Sequence, residues 1–236
     1  MLWIAHRGES LDAPENTMRA FRLAWERDTD GIELDIRLTA DKQIVCIHDA
    51  DTARIGDRLL DVAETPYGIL REIDAGRGER IPLLLEVLAE APVDRLIYIE
   101  VKSGPEILQP LKEVVEKSAF PFDKLRIIDF NSDNLKKCGK LLPNVKRYLL
   151  SGIKVSENGT LSPSAVDLRA SQLESGVDGF DLFACKKIKH KFLAGLKTEI
   201  AVWTIDDLKL AEKFMTLGVD AITSNRAAYL KSKLED

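Results

Sequence analysis

Gly31-Ile-Glu-Leu-Asp-Ile-Arg-Leu38, then Thr39-Ala-Asp-Lys-Gln43, then Ile44-Val-Cys-Ile-His48 is the stretch on which the fold turns. The first run alternates strictly, with Ile32, Leu34, Ile36 and Leu38 on one face and Glu33, Asp35 and Arg37 on the other. The connection between the two apolar runs is far too short for a parallel crossover, so they form an antiparallel hairpin. A two-residue turn centred on Asp41-Lys42 places residues whose numbers sum to 83 opposite one another, which sets His48 against Asp35. The register has room to slip by about one residue, but a return strand of this length still brings His48 near the carboxylates.

Outward from the hairpin, short apolar runs alternate with longer helical stretches, the signal for βα units and a parallel sheet. Strands are expected at Leu2–Ala5, Gly31–Leu38, Ile44–His48, Leu96–Lys102, Leu125–Phe130, Arg147–Ser151, Gly179–Phe183, Glu199–Thr204 and Asp220–Ser224. Helices are expected at Asn16–Arg27, Leu83–Glu90, Glu106–Ser118, Ser132–Leu142, Ser164–Ser175, Lys187–Leu196 and Asp206–Leu217, with Ser132 and Thr204-Ile-Asp206 as caps and Gly218 as a left-handed stop. The strands exceed an eight-stranded barrel by one, and the hairpin accounts for the excess. The expected architecture is an α/β, TIM (β/α)8 barrel, with Ile44–His48 as an extra antiparallel strand after the second barrel strand. The 236 residues suit one such domain, 1–236, and no repeat or linker divides them.

Composition narrows the function classes. Hydrophobic residues are 45% and charged residues 31%, and the formal net charge is −5, which argues against nucleic acid as a partner. The three cysteines, Cys46, Cys138 and Cys185, are widely spaced and read as small buried hydrophobes in a reducing compartment. The start, Met1-Leu-Trp-Ile-Ala-His-Arg-Gly8, shows no secretory pattern, and no apolar run is long enough to span a bilayer. The expected location is the cytoplasm.

Charged residues at the C-terminal ends of barrel strands are where such folds build active sites. Glu33 and Asp35 point into the barrel or its mouth, and two acids buried together repel unless a cation resolves them. A polar face on an exposed edge strand is the other reading of that pair. Leu96-Ile-Tyr-Ile-Glu-Val-Lys102 repeats the pattern: Glu100 completes a three-carboxylate site, and Lys102 faces a phosphate or merely pairs with Glu100 at the rim. Oxygen-only ligands favour one hard divalent cation, Mg2+ or Ca2+, over zinc. Histidine is scarce, with only His6, His48 and His190. His6 and His48 close strands that converge on the carboxylates and suit proton transfer, whereas His190 lies in a basic, solvated helical face. Arg7 offers a planar fork for phosphate. Gly8 allows a sharp turn beside it.

Taken in order, His6-Arg-Gly8, Pro14-Glu-Asn-Thr17, Glu33-Leu-Asp35, His48-Asp49, Ile81-Pro-Leu-Leu-Leu-Glu-Val-Leu88, Glu100-Val-Lys102 and Val202-Trp-Thr-Ile205 with Gly218-Val-Asp-Ala-Ile222 resemble the glycerophosphodiester phosphodiesterase family, whose fold is a TIM barrel. The resemblance covers almost the whole chain. It implies a divalent cation on Glu33, Asp35 and Glu100, and a small-molecule glycerophosphodiester as substrate. His6 is implied as the base and His48 as the acid, with Arg7 and Lys102 on the phosphate. Glu15 and Asn16 brace the site, Glu15 on the substrate side, although Asn16 serves equally as the start of a helix. Trp203 reads as an aromatic wall beside the glycerol, or as core. The family's Arg-Thr-Thr run after His-Asp is replaced here by Ala50-Asp-Thr-Ala-Arg-Ile-Gly-Asp57, its Thr-Asp-x-Pro by Thr223-Ser-Asn-Arg-Ala227, and its serine before a phenylalanine by Asp129. These departures concern substrate choice. The competing readings are a lysophospholipase D-type lipid phosphodiesterase and a barrel that binds a phosphometabolite without cleaving it.

Overall fold

The computed structural model describes residues 1–235. Eight parallel strands close on themselves: β1 (Leu2–His6), β2 (Gly31–Leu38), β4 (Leu96–Val101), β5 (Leu125–Asp129), β6 (Lys146–Ser151), β9 (Gly179–Phe183), β10 (Glu199–Trp203) and β11 (Ala221–Ser224). Their order around the wall is β1-β11-β10-β9-β6-β5-β4-β2, and pairing of β1 with β2 closes the ring. β3 (Ile44–Cys46) pairs antiparallel with β2 as the extra strand. A closed barrel leaves β2 no free edge, so the edge-strand reading of Glu33 and Asp35 falls.

The hairpin register differs from the expected one. Ile36 pairs with Cys46, Arg37 with Val45 and Leu38 with Ile44, so the numbers sum to 82 rather than 83. The loop has three residues, with Lys42 left-handed at φ 62, the usual solution when a type I turn is followed by one αL residue. No glycine marks that position, so the left-handed residue carries no cue in the sequence. β3 also ends at Cys46, and the next bond, from Ile47 N–H to the Asp35 carbonyl at 3.0 Å, is the last before the chain leaves β2. The pairing of His48 with Asp35 is therefore absent, yet His48 still arrives at the mouth. β2 pairs with β1 over Gly31–Glu33 and with β3 over Ile36–Leu38, so β3 takes the place along β2 that β1 vacates after His6.

The helices pack outside: α1 (Met18–Glu26), α2 (Tyr67–Leu70), α3 (Leu84–Glu90), α4 (Leu108–Ser118), α5 (Ser132–Leu141), α6 (Ala165–Ser175), α7 (His190–Ala194), α8 (Leu208–Thr216) and α9 (Ala227–Leu234). The main apolar core lies between them and the outward strand faces, where Ile32, Leu34, Ile99, Ile127, Phe180, Val202 and Ile222 meet Phe21, Leu111 and Phe214. Two caps sit one residue away from the expected positions. Asn131, not Ser132, accepts from the Asp133 and Asn134 amides, and Asp207, not Asp206, caps α8. Asp206 is engaged elsewhere. A short hairpin of β7 (Lys154–Val155) and β8 (Leu161–Ser162), together with α2 and α9, lies outside the expected elements. Gly218 takes φ 76 after α8 as expected. The three cysteines are free and buried. No helix among the described residues is long and apolar enough to cross a membrane.

Inside the barrel, Leu96, Tyr98, Ile128, Tyr148, Leu150, Ile4, Ala201 and Ala221 fill the lower layers. The stretch from β3 to just past α2 builds a separate small core from Val45, Ile47, Val62, Leu70 and Ile73, which anchors the segment after His48.

Candidate active site at the barrel mouth

Above those layers lies a cavity of about 230 Å3 lined by His6, Arg7, Glu33, His48, Glu100, Lys102, Ile128, Phe130, Leu150, Asp181, Trp203, Thr204 and Thr223. Strand alternation explains the gathering. His6, Glu33, Asp35, Glu100, Asp181 and Thr223 all occupy inward positions on their strands, while the residues beside them face the helices. The expected site residues converge as follows.

Glu33, Asp35 and Glu100 are buried and each places a carboxylate oxygen within 4.8 Å of the others. Glu33 lies beside His6 in register, and Asp35 beside Glu100. Glu33 Oε1 has no hydrogen-bond partner among the described residues. Burial, with Asp35 and Glu100 adding their charge, pushes the Glu33 carboxyl well up. Burial and Asp35 push Glu100 up to about 7. Burial opposes the charge of Asp35 as well, but Arg7 and Lys102 outweigh it and hold that carboxyl below the usual range. Three desolvated acids with an orphaned oxygen are the environment a divalent cation relieves, and the donor set fits one.

Arg7 Nε lies 3.0 Å from Asp35 Oδ2, and its Nη1 donates to Glu15 at 2.9 Å. Lys102 Nζ donates to Glu100 at 2.6 Å and sits 3.3 Å from Asp35 Oδ1. Both cations therefore stand at the edge of the acid cluster. Arg7 is left-handed at φ 57, rare for a bulky residue, and its own N–H donates to Glu33 at 3.1 Å. Gly8 follows at φ 79, where a Cβ would lie 2.5 Å from the Ala20 carbonyl carbon, so only glycine fits beneath α1. Asn16 is buried and serves the site directly, its amide donating to Asp35 Oδ2 at 2.8 Å while its oxygen accepts the Asp35 amide. Thr17, not Asn16, caps α1.

The two imidazoles are each held by one ring nitrogen. Asn225 gives its amide N–H to Asp206, which turns its oxygen toward His6 Nδ1 at 2.7 Å. An oxygen there requires the proton on Nδ1, so Nε2 keeps its lone pair, 3.9 Å from Glu33. Burial, then Arg7, lowers the His6 pKa and keeps the ring neutral. His48 Nδ1–H donates to Asp49 at 2.7 Å. Arg54 in turn donates to Asp49 and, through both terminal nitrogens, to Glu15 at 2.7 Å. Arg37 reaches up from β2 to donate to the His48 carbonyl at 2.8 Å and the Lys102 carbonyl at 3.0 Å. His190 heads α7 in an exposed position, away from the cavity.

Trp203 is neither core nor free surface. Its indole donates to the Asp181 carbonyl at 3.2 Å, and Phe130 and Phe183 meet it edge-on at 5.9 and 5.5 Å. Sequence reasoning placed the acids, the imidazoles and the two cations but gave no site role to Asp49, Arg37, Arg54, Asn225, Asp206 or Asp181, reading Asp206 only as part of a helix cap. Arg37 and Asp181 were signalled by charge at inward positions of otherwise apolar strands. Arg54, Asn225 and Asp206 lie on loops, where no periodicity predicts direction.

A model of the glycerophosphoryl diester phosphodiesterase family matches residues 6–228. A glycerophosphodiester phosphodiesterase of Caldanaerobacter subterraneus subsp. tengcongensis is 33% identical over 241 residues, covering 95% of this chain and 93% of the relative. One of Bacillus altitudinis is 28% identical over 248 residues and 98% of both chains. A phosphodiesterase of Oleispira antarctica, solved in complex with the product sn-glycerol-3-phosphate, superposes with a TM-score of 0.86 at 26% identity, over 99% of this chain and 96% of that one. The matched region runs from His6 to beyond Asn225, taking in every residue that meets at the mouth, and the chain belongs to the glycerophosphoryl diester phosphodiesterase family.

Proposed function

We propose that this chain hydrolyses glycerophosphodiesters to glycerol 3-phosphate and an alcohol by acid–base catalysis through His6 and His48, with one divalent cation on Glu33, Asp35 and Glu100. The observation that carries the reading is the pair of imidazoles, each anchored through Nδ1, at a cavity that also holds a buried acid cluster and two cations. The all-oxygen donor set favours Mg2+ or Ca2+. Bound there, the cation would supply Lewis-acid charge neutralisation at a phosphoryl oxygen.

The residues of the chain account for the remaining chemistry. Arg7 and Lys102 bind and orient the diester, each tethered to an acid that fixes its reach. His6, neutral with its lone pair on Nε2, takes the proton from the glycerol hydroxyl next to the phosphate as that oxygen attacks phosphorus. His48 enters the step as the imidazolium, its Nδ1–H held by Asp49, and gives its Nε2 proton to the departing alcohol oxygen, leaving the neutral Nδ1–H form. Water then opens the cyclic phosphate with the two roles exchanged. Glu15 holds Arg7 from one side, and Trp203 with its two phenylalanine neighbours walls the cavity against the carbon face of the glycerol. The site draws on strands from β1 to β11, which supports reading 1–236 as one domain, and three free buried cysteines suit a reducing, cytoplasmic setting.

The test is release of glycerol 3-phosphate from glycerophosphocholine, glycerophosphoethanolamine and glycerophosphoglycerol with Mg2+ or Ca2+. Chelator should abolish it, and His6→Ala with His48→Ala should lower it at least roughly 10³-fold. Undiminished turnover by that double variant overturns the assignment.

A further inference from the structure

On the side of β9, β10 and β11, where the inward residues Ala201 and Ala221 are small, two polar groups line the cavity. Asp181 and Thr223 are each 1% exposed. Neither Asp181 Oδ1 nor the Thr223 hydroxyl has a hydrogen-bond partner among the described residues. Asp181 also lacks an ion-pair partner among them, and it stands outside the three-acid cluster, so it is not a fourth carboxylate of that group. Its strand, Gly179-Phe-Asp-Leu-Phe183, is otherwise apolar, and among the described residues no side chain of the barrel's packing bonds to the carboxyl.

A buried acceptor left unpartnered is costly, and such groups persist where a ligand supplies the missing bond. Arg7 and Lys102 reach the acid cluster from the ends of β1 and β4, so Asp181 on β9 stands across the ring from the phosphate-binding charge, while Thr223 on β11 neighbours β1. What Asp181 faces is the part of a bound diester beyond its phosphate, with Thr223 on the flank. A carboxyl and a hydroxyl lining one cavity, with Trp203, Ile128 and Leu150 among its apolar walls, match an alcohol O–H. A quaternary ammonium has no proton to donate and would leave Asp181 Oδ1 without the hydrogen bond it lacks. We propose that Asp181 and Thr223 form a hydroxyl-reading subsite, in which Asp181 Oδ1 accepts a hydrogen bond from an alcohol hydroxyl of the bound diester and the Thr223 hydroxyl completes it. The pair is a specificity determinant for polyol phosphodiesters. The inference rests on the hydrolase reading above and deepens it.

Two sources of that hydroxyl exist, the free terminal hydroxyl of the glycerol and a hydroxyl on the leaving alcohol, and the substrates separate them. The first comparison is glycerophosphocholine against its propane-1,2-diol counterpart, which lacks the terminal hydroxyl. The second is glycerophosphoglycerol against glycerophosphopropanol. Each pair is assayed with the wild type and with Asp181→Asn, Asp181→Leu and Thr223→Val. The wild type should favour the hydroxylated member of one pair by roughly 100-fold in kcat/KM, and the Asp181 variants should reduce that preference to within about threefold by slowing only that member. Loss in the first pair assigns the glycerol end, and loss in the second assigns the alcohol end. Preferences unchanged in both pairs overturn the subsite while leaving the hydrolase intact.

Calorimetric binding of glycerol 3-phosphate against propane-1,2-diol phosphate repeats the first comparison without turnover. It keeps the subsite testable if no diester is cleaved, an outcome that would strike the hydrolase reading instead. Ligand-free Tm provides a second axis. Asp181→Leu removes an unpartnered carboxyl, so it should hold or raise Tm and, where the glycerol end is the one read, abolish the Tm gain from glycerol 3-phosphate. A lowered ligand-free Tm with that gain intact marks Asp181 as merely structural and refutes the proposal.

Discussion

The two ends of the barrel interior are both polar, and they differ in how their charges are settled. At the base, Glu199 receives the Lys146 ammonium and the Tyr148 hydroxyl. Arg126 lies over the Tyr148 ring at 6.0 Å and donates to the Asp123 and Leu125 carbonyls at 2.8 Å. Glu199 has its partners within the chain. At the mouth, Glu33 Oε1, Asp181 Oδ1 and the Thr223 hydroxyl have no hydrogen-bond partner among the described residues, and three acids crowd one another. Among the same residues Arg126 Nε also lacks a partner at the base, so the contrast lies in the acids: Glu199 is satisfied at one end, whereas Glu33 and Asp181 are left short at the other. Unpartnered acids, rather than polarity, mark where a ligand belongs.

The sharpest way to break the comparison is to neutralise one acid at each end. Glu33→Gln should lower turnover by roughly 10²–10³-fold, the scale of losing one transition-state stabilising contact. It should also raise the Tm of the metal-free protein by a few degrees, because it relieves a buried like-charge cluster. Glu199→Gln should do the reverse. Activity should stay within about twofold, and Tm should fall by roughly 1–4 °C, since its ion pair is partly exposed and contributes about 1 kcal/mol or less. Turnover assays and calorimetry on the two variants decide the matter, and a loss of stability on neutralising Glu33 would contradict the contrast.

A second, smaller effect tests whether the mouth is also held in shape. Arg37 ties the His48 and Lys102 carbonyls together and touches neither the acid cluster nor the aromatic wall through the bonds it makes. Arg37→Met keeps the stem and removes both donations. The expected result is a roughly 10–100-fold fall in kcat with KM moved less than about threefold, the signature of a positioning residue. A change confined to KM would place Arg37 on the substrate instead.

Much of this was legible in the sequence because strand alternation is a two-valued code. Once Gly31–Leu38 is a barrel strand, the inward direction of Glu33, Asp35 and Arg37 follows without coordinates, as does that of Glu100. The short connection to Ile44 forces a hairpin, and the hairpin forces His48 toward the mouth even with its register mistaken by one. The register itself was hidden because Lys42 takes a left-handed conformation that glycine usually advertises. Asn225 and Asp206, which set the His6 tautomer, sit about two hundred residues along the chain from it on different loops, and only the closed ring brings them together. Asp181 was within reach, since a lone acid inward on an apolar strand is the same signal that exposed Glu33. It lacked a second acid two residues away, and so drew no notice.

The smallest effect concerns the outer edge of the mouth, where Arg54 links Glu15 and Asp49 and so couples the Arg7 and His48 segments. Burial raises both carboxyls, but the Arg54 bonds, joined by Arg7 at Glu15 and by His48 at Asp49, outweigh it and hold both below the usual carboxylate range. A carboxyl depressed in the folded state adds stability that is fully present above its unfolded pKa of about 4 and is lost as pH falls through the folded value. All three groups are partly exposed, so screening limits the contribution to about 1 kcal/mol. Arg54→Gln should therefore lower Tm by roughly 2–4 °C at pH 7, and the gap between variant and wild type should close as the pH is taken below about 4. A gap that persists in acid would mean that Arg54 acts through packing of its stem. The edge would then resemble the self-contained base of the barrel more than the charge-driven mouth beside it.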